Sequence, residues 1–393
     1  MIFMMMITAL DSLFRLLVVC IIGMATLQNE IGFDSERLRW ARELILRYGW
    51  NATAYQIINP GIELWFSSDC EAVVGFVRAR NTLVVAGAPV CARERLADVA
   101  MEFEQAARRD GERVCYFGAE DRLESLYRSA TTHSMVLLGA QPMWLPRNWR
   151  EIISGHASLR AQLNRARNKS VSVGEWPSSQ AAGHPALQDC LREWLATRGL
   201  PPMHFLVEPQ TLERLVDRRV FVAERKGQVV GFLVASPIPR RNGWLIEQII
   251  RGRGAPNGTA ELMIDAAVRA MAEEECDYMT LGLSPLSRRA AISQEENPFW
   301  LRWSLSWVRA HGKRFYNFDG LDAFKTKFQP ERWDPVFAIF NAPRFSPTAL
   351  YAIAEAFTKG APIRAIAGAL LKAAQTEVGW FADRFRITSE QNT

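Results

Sequence analysis

The 393-residue chain holds only six cysteines, Cys20, Cys70, Cys91, Cys115, Cys190 and Cys276, scattered with no CxxC pair among them. The five histidines are equally dispersed, none at zinc-ligand spacing from a cysteine. These absences argue against a disulfide framework and a structural metal site, and they point to reduced thiols in a cytosolic setting. Nor do they leave a Ser-His-Asp arrangement to argue for. With no Gly/Ser/Pro tract, no short internal repeat and no low-complexity segment, extended disorder is excluded. Long apolar runs are lacking too. The cleanest is Leu16–Leu27, twelve residues that follow Asp11 and Arg15, whereas a bilayer span needs about 20. A secretory signal carries its positive charge ahead of the apolar stretch, whereas here Asp11 and Arg15 interrupt the apolar segment, which makes it a poor secretory signal. Residues 1–33 therefore read in one of three ways: a membrane-surface anchor helix, one marginal span, or a stretch read from an upstream start codon with the true protein beginning at Met24.

What the chain does have is globular composition, 49% apolar and 23% charged, at a length suited to two domains with separate cores. Two stretches repeat the same order of elements. In the first, a helix (SERLRWARELILRYG) precedes the strands ELWFSS, EAVVGFVRA and TLVVAGAP; a helix over 94–110, the strand RVCYFGA, a helix over 120–130 and the strand SMVLLGA follow. In the second, the helix ALQDCLREWLATRG leads to VFVAERKG, QVVGFLVASP and GWLIEQIIRG. Lys-Gly and Arg-Asn-Gly turns join those strands. A helix over 258–275, the strand DYMTLGLS, a helix over 297–311 and a strand-like FYNF complete it. A meander followed by alternating helix and strand predicts an α/β fold with a mixed central sheet in each half.

The net charge of +5 is unevenly placed. Between Arg147 and Lys169 there are six basic residues and one acid, Glu151, and this segment falls at the junction of the halves. HASLRAQLNRARNKS predicts a helix with Leu159, Leu163 and Ala166 on one side and Arg160, Asn164 and Arg167 on another, widened by Arg165 and Lys169. No acid within the helix neutralises the cluster, so an anionic partner is expected there. Further on, IIRGRGAPNGTAELMID ends a strand, turns, and opens a helix whose first N–H groups, with Arg251 and Arg253, suit an anion. The segment differs from a coenzyme A cradle in offering Pro256, which lacks a donor. Glu261 and Asp265 lie one turn apart on that helix. Either complements the helix dipole or serves as a carboxylate for an ammonium group or a proton. Near the end, FYNFDGLDAFKTKFQP sets Lys325 and Lys327 among Phe324, Phe328 and Trp333, where an ammonium is costly to desolvate without a partner.

The blocks APNGTAELMID, LGLSPLS and FYNFDGLDAFKTKFQPERWDPVFAIF, in this order and spacing, resemble the C-terminal catalytic region of the bacterial phosphatidylglycerol aminoacyltransferases. These are the lysyl- and alanyl-phosphatidylglycerol synthases of the multiple peptide resistance factor family. The likeness extends over roughly residues 35 to 340. It implies two tandem GNAT-like domains, expected at 34–156 and 171–340, joined by the basic helix 157–170 and followed by a helical extension over 341–393. It further implies transfer of an amino acid from aminoacyl-tRNA to a hydroxyl of an anionic membrane phospholipid, with no cofactor and no metal because one ester replaces another.

By this resemblance Lys325 and Lys327 fall in a KxKF element, Asn257 and Gly258 in a PNG turn and Ser284 in the loop around PLS. Glu261, Lys325 and Asp265 are the expected catalytic groups. Arg160, Arg165, Arg167, Arg251, Asn257, Gly258, Ser284, Asn317, Lys327 and Arg332 are the expected substrate-binding groups. The family usually carries Asp at the position of Glu261, whose extra methylene moves the carboxylate by about 1.5 Å. Family members of the resistance-factor type also carry many membrane spans ahead of this region. The expected location is the cytoplasmic face of the inner membrane, peripheral or held by one N-terminal anchor. Three alternatives stay open: a GNAT-type transferase using an acyl thioester, aminoacyl-tRNA-dependent transfer to a peptide or soluble acceptor, and a catalytically inactive lipid- or RNA-binding protein.

Overall fold

The computed structural model describes residues 36–198, 202–290, 297–302 and 318–358. The segment 1–33, Asn317, most of FYNF and the chain beyond 358 lie outside these residues. The chain divides after Glu43 into two units; residues 36–43 of the first are helical, and the fold that follows belongs to the second, from Leu44 onward.

β1 (Glu63–Phe66), β2 (Val73–Ala79) and β3 (Thr82–Ala86) form an antiparallel meander. The chain then crosses through α1 (Leu96–Arg109) to β4 (Arg113–Ala119), which lies parallel to β3. α1 buries Val99, Ala100, Phe103 and Ala107, an apolar stripe at helical spacing. α2 (Asp121–Tyr127) leads to the long β5 (Ser134–Trp144), and α3 (Trp149–Gly155) and α4 (Ala157–Arg167) connect the halves. β6 (Val171–Trp176) and α5 (Pro185–Ala196) open the second half, whose meander is β7 (Arg219–Arg225), β8 (Gln228–Ile238) and β9 (Gly243–Arg251). Lys226 and Gly227, at φ 52° and 75°, make the tight β7–β8 turn, where both central residues need positive φ. α6 (Thr259–Glu273) crosses to β10 (Tyr278–Thr280), parallel to β9. β11 (Ser284–Pro285), α7 (Phe318–Thr326), β12 (Arg332–Phe340) and α8 (Pro347–Thr358) complete the described elements. Phe318, expected at the end of a strand, instead opens α7.

The same meander, crossover helix and parallel strand thus occur twice, an α/β arrangement repeated in tandem with α4 between the halves. The halves share one mixed sheet in the order β1-β2-β3-β4-β12-β5-β10-β9-β8-β7-β6, with β11 also on β5. Each half gives its last strand to the other. β12, from the end of the second half, lies between β4 and β5, and β5 in turn bonds β10. The cores follow the same exchange. Phe337 and Ile339 of β12 pack with Val85, Phe103 and Tyr116 of the first half. Trp144 at the end of β5 packs with Leu233, Met263 and Phe328 of the second.

A polar lock reinforces the join. Tyr55 donates to the Val216 carbonyl (2.5 Å), and Gln56 donates to Ser236 Oγ (3.1 Å) and Glu247 (3.0 Å). The fully buried Arg218 guanidinium reaches Glu247 (2.5 Å) and Asn59 (2.8 Å). A buried charge of this kind is tolerated only when its donors are used.

Two halves joined through their middle strands are expected to unfold together. Phe337→Ala should lower the unfolding free energy by about 3–5 kcal/mol, in one urea transition seen alike by tryptophan fluorescence and circular dichroism. A loss confined to one of two separate transitions would show that the halves fold alone.

Candidate active site at the opening between two strands

β9 and β10 are paired only from Gly243–Leu245 to Tyr278–Thr280. Beyond that point β9 runs on beside β8, while the other chain turns at Gly282 (φ 69°) and its β11 joins β5. The two strands therefore part, leaving a gap at their C-terminal ends, the usual place for a ligand in a sheet with parallel neighbours. Gly139 makes the turn-off feasible: a Cβ there would collide with the Ser284 carbonyl oxygen.

α6 starts at this gap. Its N-cap, Gly258, has φ 95°, and a Cβ at that position would strike the Gln162 carbonyl of α4. Gly258 is thus explained by its left-handed backbone and the close approach of α4. The turn that was expected to offer N–H groups to an anion packs its glycine against the basic helix, while Asn257 and Arg251 are exposed.

Glu261, in the first turn of α6, is 7% exposed, and its carboxylate is ion-paired with Lys327 Nζ. That ammonium also sits 4.5 Å from the Phe324 ring centroid and 5.5 Å from that of Phe328. Carboxylate and ring faces together replace part of its hydration. Lys327 keeps 35% of its side chain exposed, so solvent reaches the pair from this side.

Lys325, two residues earlier, is 4% exposed. Its Nζ donates to the carbonyls of Gly282 (2.7 Å) and Leu283 (2.9 Å). Burial pushes its pKa down to about 7, with the charge of Asp322 acting weakly the other way. A neutral amine can donate both N–H groups to these two carbonyls and keep its lone pair. The next residue, Ser284, is 1% exposed, and its Oγ has no hydrogen-bond partner among the described residues. The loop is held by Asp322, which accepts from Ser287 Oγ (2.6 Å) and Arg289 Nε (2.7 Å).

Asp265 faces a different set of partners. It accepts from Trp149 Nε1 (3.0 Å), Arg269 Nε (2.9 Å) and Arg167 (2.9 Å). One carboxylate so occupied ties α3, α4 and α6 together. The acid missing from the basic helix is supplied from α6, 98 residues along the chain. Arg160 donates to the Ile153 and Ser154 carbonyls at the end of α3, where a cation suits the helix dipole. Arg165 is exposed, whereas Leu159, Leu163 and Ala166 are buried as the spacing predicts. Arg332, 59% exposed by its side chain, bonds Asp334 at 2.8 Å.

The structure therefore gathers Glu261, Lys327, Lys325 and Ser284 around α6, α7 and the Gly282 loop. Arg167 and Asp265 meet each other beside it. Sequence reasoning missed Asp322 and Gly282, although Asp322 stands three residues before Lys325 in a block already singled out.

Residues 42–340 match the family described as phosphatidylglycerol lysyltransferase, C-terminal. The phosphatidylglycerol lysyltransferase of Bacillus subtilis (strain 168) is 25% identical over 301 residues, 76% of this chain and 34% of its own length. That of Staphylococcus xylosus is 23% identical over 340 residues, 83% of this chain and 39% of its own. The chain thus spans little more than a third of these relatives. Two solved structures share the fold. A C-terminal domain assigned to lysylphosphatidylglycerol synthetase from Agrobacterium fabrum has TM-score 0.71 at 22% identity, covering 83% of this chain and 98% of that one. L-PGS from Bacillus licheniformis has TM-score 0.68 at 21% identity, covering 81% and 95%. With the matched region running from the helix before β1 to the last residue of β12, the chain belongs to the family of phosphatidylglycerol lysyltransferase C-terminal domains.

Proposed function

We propose that this chain transfers an amino acid from aminoacyl-tRNA to a glycerol hydroxyl of phosphatidylglycerol. The observation that carries the reading is the Glu261–Lys327 pair at the mouth of the strand opening, with the buried Lys325 behind it. A paired carboxylate and ammonium, partly open to solvent, can exchange each other for a substrate that brings both charges. The α-ammonium of the aminoacyl group meets Glu261, and Lys327 turns to a phosphate of the lipid or of the tRNA end. Lys325 then serves as the proton carrier. Its neutral amine takes the proton of the attacking lipid hydroxyl and returns it to the departing ribose oxygen, so ester replaces ester without a cofactor. Most of the rate comes from holding the two substrates in register.

The exposed Arg165 and Arg251 provide charge for tRNA phosphates, and binding should weaken as salt rises. Among the described residues no helix is long and apolar enough to cross a membrane. We place the reaction at the cytoplasmic face of the inner membrane, where both substrates meet.

The direct test supplies charged tRNA carrying radiolabelled amino acids, lysine first, together with phosphatidylglycerol vesicles, and follows label into the lipid phase. Label should enter lipid only while the tRNA is intact. Label in lipid after RNase treatment of the tRNA would refute dependence on it, and label confined to water-soluble products would favour a soluble acceptor.

Two further outcomes are expected in this assay. Glu261→Gln should raise the KM for aminoacyl-tRNA by roughly 10–100-fold, the worth of a lost charge-assisted contact, while Glu261→Asp retains the contact. Because transfer needs the neutral amine of Lys325, the rate should rise with pH through about 7. Lys325→Met should lower kcat by about 10²–10⁴-fold and abolish that rise; an unchanged profile would remove Lys325 from the reaction.

A further inference from the structure

The first half has a crevice of its own at the place where the second half has its opening. In both halves a strand crosses through a helix to a parallel neighbour: β3–α1–β4 and β9–α6–β10. The candidate active site lies at the C-terminal ends of β9 and β10. The first-half crevice is lined by Pro89, Arg93 and Leu96, between the end of β3 and the start of α1, and by Glu120 and Arg122, just after β4. Trp50 forms a further wall. Crevices at the C-terminal ends of such strands are where ligands are bound in α/β sheets.

Its chemistry differs from that of the second site. The Arg122 guanidinium lies 3.6 Å from the Trp50 ring centroid, and the indole is itself fixed by its N–H bond to Asp121 (3.0 Å). Stacking of this kind orients a guanidinium while leaving its edge donors available. Among the described residues, neither Arg122 nor Arg93 has a carboxylate within ion-pair distance, and Arg240 has none either. Burial first, then the charge of Arg93, holds the Arg122 guanidinium below its ordinary range; Asp121 opposes them, and Arg241 and Arg240 add to them. Arg93 and Arg122 thus share one crevice with no carboxylate at ion-pair distance from either among the described residues, an arrangement that an anion would relieve. The nearby carboxylates are already engaged: Asp121 accepts from Trp50 Nε1 and lies 3.5 Å from Arg241, and the second is Glu120. It is 4% exposed and already holds Arg241 (2.6 Å) and the Ala52 N–H (2.6 Å). Pro89 and Leu96 give the crevice an apolar side.

We propose that this crevice is a second ligand site, separate from the transfer site, which takes a phosphate ester. The phosphate sits between Arg93 and Arg122, and the body of the ester packs against Pro89 and Leu96. Guanidinium forks match phosphate oxygens in pairs, and the stacked Arg122 is set for such a contact before the ligand arrives. The site is independent of the transfer reading, since none of its residues belongs to the Glu261–Lys327 region.

Calorimetric titration of the full chain with two probes, glycerol 3-phosphate and adenosine 5′-monophosphate, tests it. At least one probe should bind the unaltered protein, glycerol 3-phosphate marking a lipid headgroup as the source and the adenylate a nucleotide. Arg93→Gln with Arg122→Gln should weaken that binding by about tenfold or more, and Arg122→Lys, which keeps the charge but loses the fork and the stack, should weaken it less. Lys327→Gln, which removes any phosphate contact at the transfer site, should leave the binding that depends on Arg93 and Arg122 unchanged. Failure of both probes to bind the unaltered protein overturns the proposal, as does binding to the Lys327→Gln protein that survives the added double substitution, or the loss of all binding with Lys327→Gln alone.

Discussion

Everything at the candidate site depends on β12 lying between β4 and β5. The strand comes from the end of the second half, yet its backbone completes the first half's sheet and its Phe337 and Ile339 complete that half's core. Because α7 ends only a few residues before β12, the register of this strand fixes where the chain bearing Lys325 and Lys327 can reach. From that anchor Lys325 meets the Gly282 and Leu283 carbonyls and Lys327 meets Glu261. β5 does the reciprocal work by carrying both β10 and β11, which is what draws the chain after Thr280 away from β9. The opening and the groups that line it are therefore consequences of one strand exchange.

Charge placement around the opening follows a division between used and usable groups. Asp265 is saturated by Trp149, Arg167 and Arg269, and Arg218 by Glu247, Asn59 and the Arg214 carbonyl. Such groups hold elements in place, because removing any one partner would leave a buried charge uncompensated. Glu261 and Lys327 form a simpler pair open to water on the Lys327 side, so Lys327 can change partner at little cost, while the buried Glu261 needs a substrate cation in its place. Lys325 is the intermediate case. Two carbonyls satisfy its N–H groups, but burial favours the neutral amine, and this gives a proton acceptor at neutral pH in a place shielded from solvent.

Much of this was legible in the sequence. The meanders announced themselves through β-branched runs punctuated by Arg-Asn and Lys-Gly turns, and the crossover helices through their apolar stripes. The apolar face of the basic helix, Leu159, Leu163 and Ala166, was readable from spacing alone. The strand exchange was not, because spacing within a segment says nothing about which distant edge it will join. RWDPVFAIF was legible as part of a motif and is a strand whose neighbours, β4 and β5, lie some two hundred residues earlier. The roles of Arg160 and Arg167 were hidden for the same reason. Their partners are a helix end and an acid on another helix, so a cluster that looks unneutralised along the chain is partly neutralised in space.

A crystal structure with a non-hydrolysable 3′-aminoacylamino analogue of the tRNA terminal adenosine would address the exchange of partners most directly. The account predicts the analogue's α-ammonium on the Glu261 carboxylate, Lys327 turned away from Glu261, and Lys325 still on its two carbonyls. An analogue bound elsewhere, with the Glu261–Lys327 pair intact, would contradict it.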